Sequence, residues 1–401
     1  MKYEEYIRNS TLPKEVVDLY LSQEEATFAQ FHPELGYTLG NYMPRDGADG
    51  CLTILTTQEN GTRSSTIYAD VPCRINTYGD SFTHCHQVSD HETWQEHLAA
   101  HLGEPIRNFG VGSYGVYQAY KRMLLTEQTN DAAEYIVLYI WGDDHYRSCV
   151  RCRHTQIHQW FNHQNGQMFH GNFWSNLEMD LESGILTEKA NRLPTPESLY
   201  KMTDPDFMWE ALHDDLMLQM SAFVSGGCGD VDGHALNRLA ETLNLPPVSG
   251  DRQDPTIESV SQLRDAYALS ATKYIIDRSM EFAEQNDKKL LISLFDPKVT
   301  RQLVTEGKRY DASIVEHLQS KGARYFDMNL VHVEDFKAFN LSLEDYMKRY
   351  MLSHYNPLGN QFFAMSIKDT LVDWLNPKPI TYRDSGQARI GFEENYLPDW
   401  Q

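Results

Sequence analysis

Between about residues 74 and 375, short apolar runs alternate with segments whose apolar side chains recur every three or four positions. The run at 74–78 is extended and enters Gly79. After it, Trp94, Leu98 and Leu102 recur every four residues until Gly103 stops the helix they imply. A second short strand ends near Phe109, and Val116, Tyr120, Met123 and Leu124 form the next helical stripe. Residues 135–141 (YIVLYIW) are apolar without a break, as expected of a strand covered on both faces. Val260, Leu263, Tyr267, Ala271 and Tyr274 mark a long helix that leads to a second buried-strand run, LLISLF at 290–295. Residues 324–328 read as a last strand. Asn356-Pro357 then reads as an N-cap followed by proline at the first helical position, opening a helix with Leu358, Phe362, Phe363, Ile367, Leu371 and Trp374 on one side. This alternation predicts an α/β protein built on a parallel sheet.

Three stretches stand outside it. Runs at 51–57 and 62–68 flank Asn60-Gly61, a hairpin signal within an N-terminal extension spanning 1–70. The main α/β domain spans 71–375 and carries an insertion at about 150–255, helical over 206–223, with a loop composition (SGGCGDVDG) at 225–233. Within the insertion, Trp160, Phe161, Phe169, Phe173 and Trp174 form either a satellite core or a substrate lid, and EMDLE at 178–182 reads as solvated surface. The tail, 376–401, has no periodicity; its Phe392, Tyr396 and Trp400, like the hairpin, offer a surface for self-association.

Composition narrows the function. In 401 residues, 57 acidic side chains against 35 basic ones leave a formal charge of −22, which disfavours binding to a nucleic-acid backbone. No apolar run approaches a membrane span, and residues 1–12 are too polar for a signal peptide. Six cysteines in a chain of this size, without an export signal, are expected as reduced thiols in a cytoplasm.

Ligands of open parallel sheets bind beyond the carboxyl ends of the strands. The segments that follow the expected strands are Gly79-Asp80-Ser81-Phe82-Thr83, Gly110-Val111-Gly112-Ser113-Tyr114-Gly115 and Gly142-Asp143-Asp144-His145, and His354-Tyr355-Asn356-Pro357 precedes the last helix. A serine, a glycine-rich turn, carboxylates and a histidine thus converge. Ser81 at a helix start is placed to act as a nucleophile, and His354 to accept its proton and return it to a leaving group. The amides of Ser81 and Ser113 are placed to hold an oxyanion. Gly112, Asp80, Asp144 and Tyr114 join them as substrate-binding candidates, with Tyr117 and Tyr355 as further hydroxyls explained equally well by helix packing.

These segments resemble the SGNH/GDSL hydrolase family through GDSFTHCHQVSDHETWQEHLAAHLG at 79–103, NFGVGSYGVYQ at 108–118 and HYNPLGNQFFA at 354–364. HPELGY at 32–37 looks like the lead-in found before the nucleophile strand in some members. The resemblance implies a three-layer αβα, flavodoxin-like fold, here with an N-terminal hairpin extension and a helical insertion. It also implies a serine-dependent esterase, deacylase or acyltransferase that takes a small-molecule ester or acyl substrate through a covalent intermediate on Ser81, with no cofactor. The chain departs from the family at three places. Ser113 stands where glycine is usual. Asp143 stands where an asparagine amide normally faces the oxyanion, so it is expected either as a protonated donor or as a sign of altered chemistry. Leu352 and Met351 stand where an aspartate normally supports the histidine, leaving Asp327, Asp335, Glu344, Asp345 or a backbone carbonyl as the support for His354.

Two other readings compete. One is a ligand-binding protein that keeps the pocket without catalysis. The other is a metal-assisted enzyme using His84, His86, His145, Cys149 and Cys152 with nearby carboxylates, and with His154 and His158 next along, although CxxCxHxxxH matches no common zinc-finger spacing.

Overall fold

The computed structural model describes residues 1–22, 27–159, 169–250 and 254–383. Its centre is a five-stranded sheet of β3 (Ile75–Tyr78), β4 (Arg107–Asn108), β5 (Tyr135–Trp141), β8 (Lys289–Phe295) and β9 (Tyr325–Asp327), in spatial order β4-β3-β5-β8-β9. Every pairing in it is parallel. Two antiparallel hairpins lie outside it: β1 (Ala29–His32) with β2 (Gly36–Leu39), and β6 (Asn176–Asp180) with β7 (Ile185–Lys189).

The unbroken apolar run of β5 is explained by its two cores. Tyr135, Val137 and Tyr139 pack with Trp94, Leu98 and Leu102 of the helix Trp94–Leu102 and with Phe363, Ile367 and Leu371 of the helix Pro357–Trp374. Ile136, Leu138 and Ile140 point the other way, into the core that holds Tyr117, Tyr120 and Met123 of the helix Val116–Thr126 and Ile275 of the long helix Ile257–Gln285. Side chains alternate across a strand, so a sheet with helices on both faces needs apolar residues at every position. Asn356 caps the Pro357–Trp374 helix by accepting from the Gly359 amide at 2.9 Å, as the Asn-Pro pair predicts.

The chain runs from β3 outward to β4, then back past β3 to β5. The direction of winding therefore reverses between β3 and β5, the place where sheets of this kind open a ligand crevice at the carboxyl ends of their strands.

The flanking segments differ from expectation in several ways. The Asn60-Gly61 turn exists, with the Gln58 amide donating to the Thr62 carbonyl at 2.8 Å, but only an isolated Thr57–Arg63 bridge joins its arms. The regular N-terminal hairpin is β1–β2, with HPELGY at its turn. The helix expected over 206–223 is two helices, Pro205–Leu212 and Leu216–Val224, because the Asp215 carboxylate caps the second by accepting from the Leu218 amide. Asp180 and Glu182 are exposed, as expected of EMDLE, but Glu178 is half-buried on β6 and takes two hydrogen bonds from Arg151, at 2.7 and 3.1 Å. Phe169, Phe173 and Trp174 are core residues, packed with Tyr3, Tyr6 and Ile7 of the N-terminal extension in the same cluster as the sheet. Trp160 and Phe161 lie outside the described residues, as do Phe392, Tyr396 and Trp400 of the tail. No described helix is long and apolar enough to cross a membrane.

Candidate active site

Ser81 opens the short helix Ser81–His84 immediately after β3. Asp80 caps it, its carboxylate accepting from the Phe82 amide at 2.9 Å. Two glycines allow the close approaches this turn requires. A Cβ on Gly79 would lie 2.1 Å from Oγ1 of Thr83, and one on Gly110 would lie 2.3 Å from the backbone nitrogen of His84. Beyond the helix, Cys85 and Gln87 both adopt left-handed backbone conformations, at φ of 63° and 68°. Arg63 holds this turn: its buried guanidinium donates to the carbonyls of His84, Cys85 and Val88, each at 2.6 Å, and pairs with Asp90 at 2.8 Å.

His354 reaches Ser81 from the loop before the last helix. Its Nε2 lies 2.8 Å from Ser81 Oγ, across 273 positions of sequence. Oε1 of Gln87 fixes that loop by accepting from the Ser353 amide at 3.1 Å, the Ser353 hydroxyl at 2.9 Å and the His354 amide at 2.9 Å. Nδ1 of His354 faces the Ser353 hydroxyl at 3.2 Å. The Ser353 proton is committed to Gln87, so the consistent tautomer has Nδ1–H donating to Ser353 and a free lone pair on Nε2 facing Ser81. Burial and the Arg147 guanidinium push the His354 imidazole down to about 4. It is therefore neutral at physiological pH, the form a general base requires.

None of the four carboxylates considered as support for His354 is its hydrogen-bond partner. Asp327 is taken by Arg309 and Asn329, and Asp335 by the hydroxyls of Tyr346 and Tyr350. Glu344 pairs with Lys348, and Asp345 accepts from the Ser342 hydroxyl. Ser353 occupies that place instead.

After β5, Asp143 and Asp144 both turn toward Arg147 on the helix Asp144–Arg147. Arg147 Nη2 donates to Asp143, and Nη1 donates to Asp144 at 2.9 Å and to the Tyr114 carbonyl at 3.1 Å. Burial opposes the charge on Asp143, but Arg147 and Arg153 hold its carboxyl below the usual range. Of the two expectations for Asp143, this environment speaks against the protonated donor and leaves altered chemistry standing: Asp143 is an ionised partner of arginine, and it lines a neighbouring cavity, not the one at Ser81. Burial pushes the carboxyl of Asp144 well up and that of Asp80 to about 6.

A cavity of about 600 Å³ opens over the pair, lined by Ser81, His354, Ser113, His86, Gln87 and Arg147 among others. Ser113 has a left-handed φ of 67°, a backbone conformation that favours glycine. Tyr114 does not line this cavity; it is fully buried and its hydroxyl donates to the Tyr37 carbonyl. Gly112 gives its carbonyl to Tyr37 at 2.8 Å, and Asp144 is buried behind the cavity wall. Tyr117 and Tyr355 are likewise engaged, with Glu188 and His332.

The outer wall was not foreseen in the sequence. Phe28, Tyr42, Pro44, Arg45, Asp46 and Leu55 come from the N-terminal extension, whereas the insertion contributes His170 to it. These residues carry no motif; only the folding of the extension over the crevice brings them there.

The metal candidates are dispersed. His84 and His86 pack 5.0 Å apart, centroid to centroid, and burial pushes both imidazoles far down. His145 bonds Thr272 at 2.8 Å, while Cys149 and Cys152 are buried in the core. His154 bonds the Ser10 carbonyl and His158 the Thr155 carbonyl. Among the described residues, no three His, Cys, Asp or Glu side chains are grouped to hold a metal ion. Compared with protein-family models and with curated proteins, the chain matches none.

Proposed function

We propose that the protein is a serine-dependent acyl hydrolase or acyltransferase of the SGNH type. The observation that carries this reading is the 2.8 Å contact between Ser81 Oγ and the free face of a neutral His354, both lining a cavity large enough for a small ester. Counted in chain order, the five parallel strands stand 2-1-3-4-5, which supports the flavodoxin-like form of the fold, and the pair sits at the reversal of winding where such sheets bind ligands.

In this mechanism Ser81 Oγ attacks the acyl carbon and its proton passes to His354 Nε2. The carbonyl electron pair moves onto oxygen, next to the amides of Ser81 and Ser113. Collapse re-forms the carbonyl and expels the leaving group, which takes the proton from His354. Water or another acceptor then attacks the acyl-enzyme by the same route. The six cysteines, all unpaired, support a reducing compartment such as the cytoplasm.

Treatment with a serine-directed fluorophosphonate, followed by peptide mass mapping, tests the reading. The expected adduct is on Ser81 and is lost in Ser81→Ala and His354→Ala. If intact protein gives no adduct while an esterase control reacts, the covalent mechanism is wrong. The missing carboxylate behind His354 favours one rival, a catalytically silent binding protein, and that same result would select it.

A further inference from the structure

The mechanism above rests on two backbone amides for the oxyanion, because the residue at 143 is a carboxylate and cannot donate. We propose that Arg147 supplies the side-chain donor, its guanidinium holding the negative oxygen that forms when Ser81 attacks; this rests on the acyl-transfer reading of the same cavity. Four observations carry it. Arg147 lines the same cavity as Ser81, His354 and Ser113. It is 7 % exposed, so its charge acts in a poorly screened setting. Its geometry is fixed by Asp143, Asp144 and the Tyr114 carbonyl, which leaves the donor little freedom to lose during reaction. Finally, its donors are not all spent. A guanidinium has five N–H groups. Three are used in those bonds, which leaves one N–H of Nη2 without a partner among the described residues, besides a fully buried Nε.

The replacement of an amide by a carboxylate at 143 then has a physical reason. Asp143 does not face the oxyanion; it orients the arginine that does. Arg147 disfavours the imidazolium in the resting site, and the oxyanion, forming next to both, offsets that field in the transition state. Charge separation thus develops between oxyanion and imidazolium with arginine on the anionic side.

The test measures the rate at which the fluorophosphonate labels Ser81, since its transition state also builds negative charge on oxygen. Arg147→Gln is expected to label about 100-fold more slowly, and Arg147→Lys, which keeps the charge but not the planar fork, about tenfold more slowly. The acid limb of the rate, set by His354, is expected to move to higher pH in Arg147→Gln, a change that a purely structural role would not produce. Rates within threefold of the parent protein in a folded Arg147→Gln overturn the proposal and leave the Ser81 mechanism standing. A slower rate with an unmoved acid limb overturns it too. Should Arg147→Gln fail to fold, Arg147→Lys decides: labelling at the parent rate rejects the proposal. No labelling of the parent protein removes both readings.

Discussion

The Ser353 hydroxyl stands 3.2 Å from Nδ1 of His354, on the side of the imidazole where a catalytic triad places its acid. A hydroxyl is a neutral acceptor, and Ser353 passes its own proton to Gln87 at 2.9 Å, so the relay fixes the tautomer without supplying charge. Loss of one such neutral bond is worth about 1 kcal/mol. Ser353→Ala is therefore expected to slow Ser81 labelling by about fivefold to tenfold, with little change in affinity for the reagent. Gln87→Ala removes three acceptor contacts to the loop and is expected to be the more damaging of the two. Equal, unaltered rates in both variants would remove the relay from the mechanism.

The acidity of His354 makes a second prediction. The proposed mechanism needs the unprotonated imidazole, so the rate it predicts falls as pH drops through the pKa of this group. An ordinary histidine would impose that fall near 6.5. Burial and Arg147 lower this one to about 4, so the reaction of Ser81 is expected to hold its rate from neutral pH to about pH 5 and fall only below it. A rate profile for fluorophosphonate labelling, on protein shown by circular dichroism to stay folded, measures this directly. An inflection near 6.5 would contradict the environment described for His354.

How much of this could be read in the chain depends on range. The sheet was legible, because a strand buried on both faces writes an uninterrupted apolar run, as in β5 and β8. Ser81 and His354 were legible because turn and cap chemistry mark the strand end and the last helix around them. The role of Asp143 was not. Its ionisation depends on Arg147, four residues on, and on Arg153, whose side chain approaches to 3.9 Å. Neither periodicity nor motif reports where a guanidinium points. The extension over the cavity was equally hidden, since Tyr42 and Leu55 meet the site only through an irregular segment with a single bridge between them.

Arg63 carries the third prediction. It is 2 % exposed and joins Asp90 to three carbonyls of the turn that follows Ser81. Removing one partner of a buried pair leaves an uncompensated charge and costs about 3–5 kcal/mol. Arg63→Ala is expected to lose stability on that scale by urea unfolding. Lysine should not restore it, because a point charge cannot span the same set of acceptors. The variant is also expected to react slowly, because the turn holds Gln87 in its left-handed conformation. A midpoint of unfolding close to that of the parent would show that the turn holds itself.

The last prediction concerns pH and stability at His332. This imidazole is fully buried between the hydroxyls of Tyr346 and Tyr355, at 3.0 and 2.9 Å, and burial pushes it down to about 3. In the unfolded chain it titrates near 6.5, so between these values the unfolded state binds a proton that the folded state refuses. Stability from this group is therefore complete above 6.5 and is lost as pH falls toward 3. Between pH 7 and pH 5 the loss amounts to about 2 kcal/mol. Other buried histidines act in the same direction, whereas Asp80, with its carboxyl raised to about 6, acts in the opposite one, so the whole-protein curve does not isolate the effect. The comparison with His332→Phe does. The variant loses two hydrogen bonds at every pH but carries no titrating group at this position. The stability gap between parent and variant is expected to narrow by about 2 kcal/mol from pH 7 to pH 5. A gap that stays constant with pH would mean that His332 accepts a proton in the folded protein as readily as in the unfolded chain.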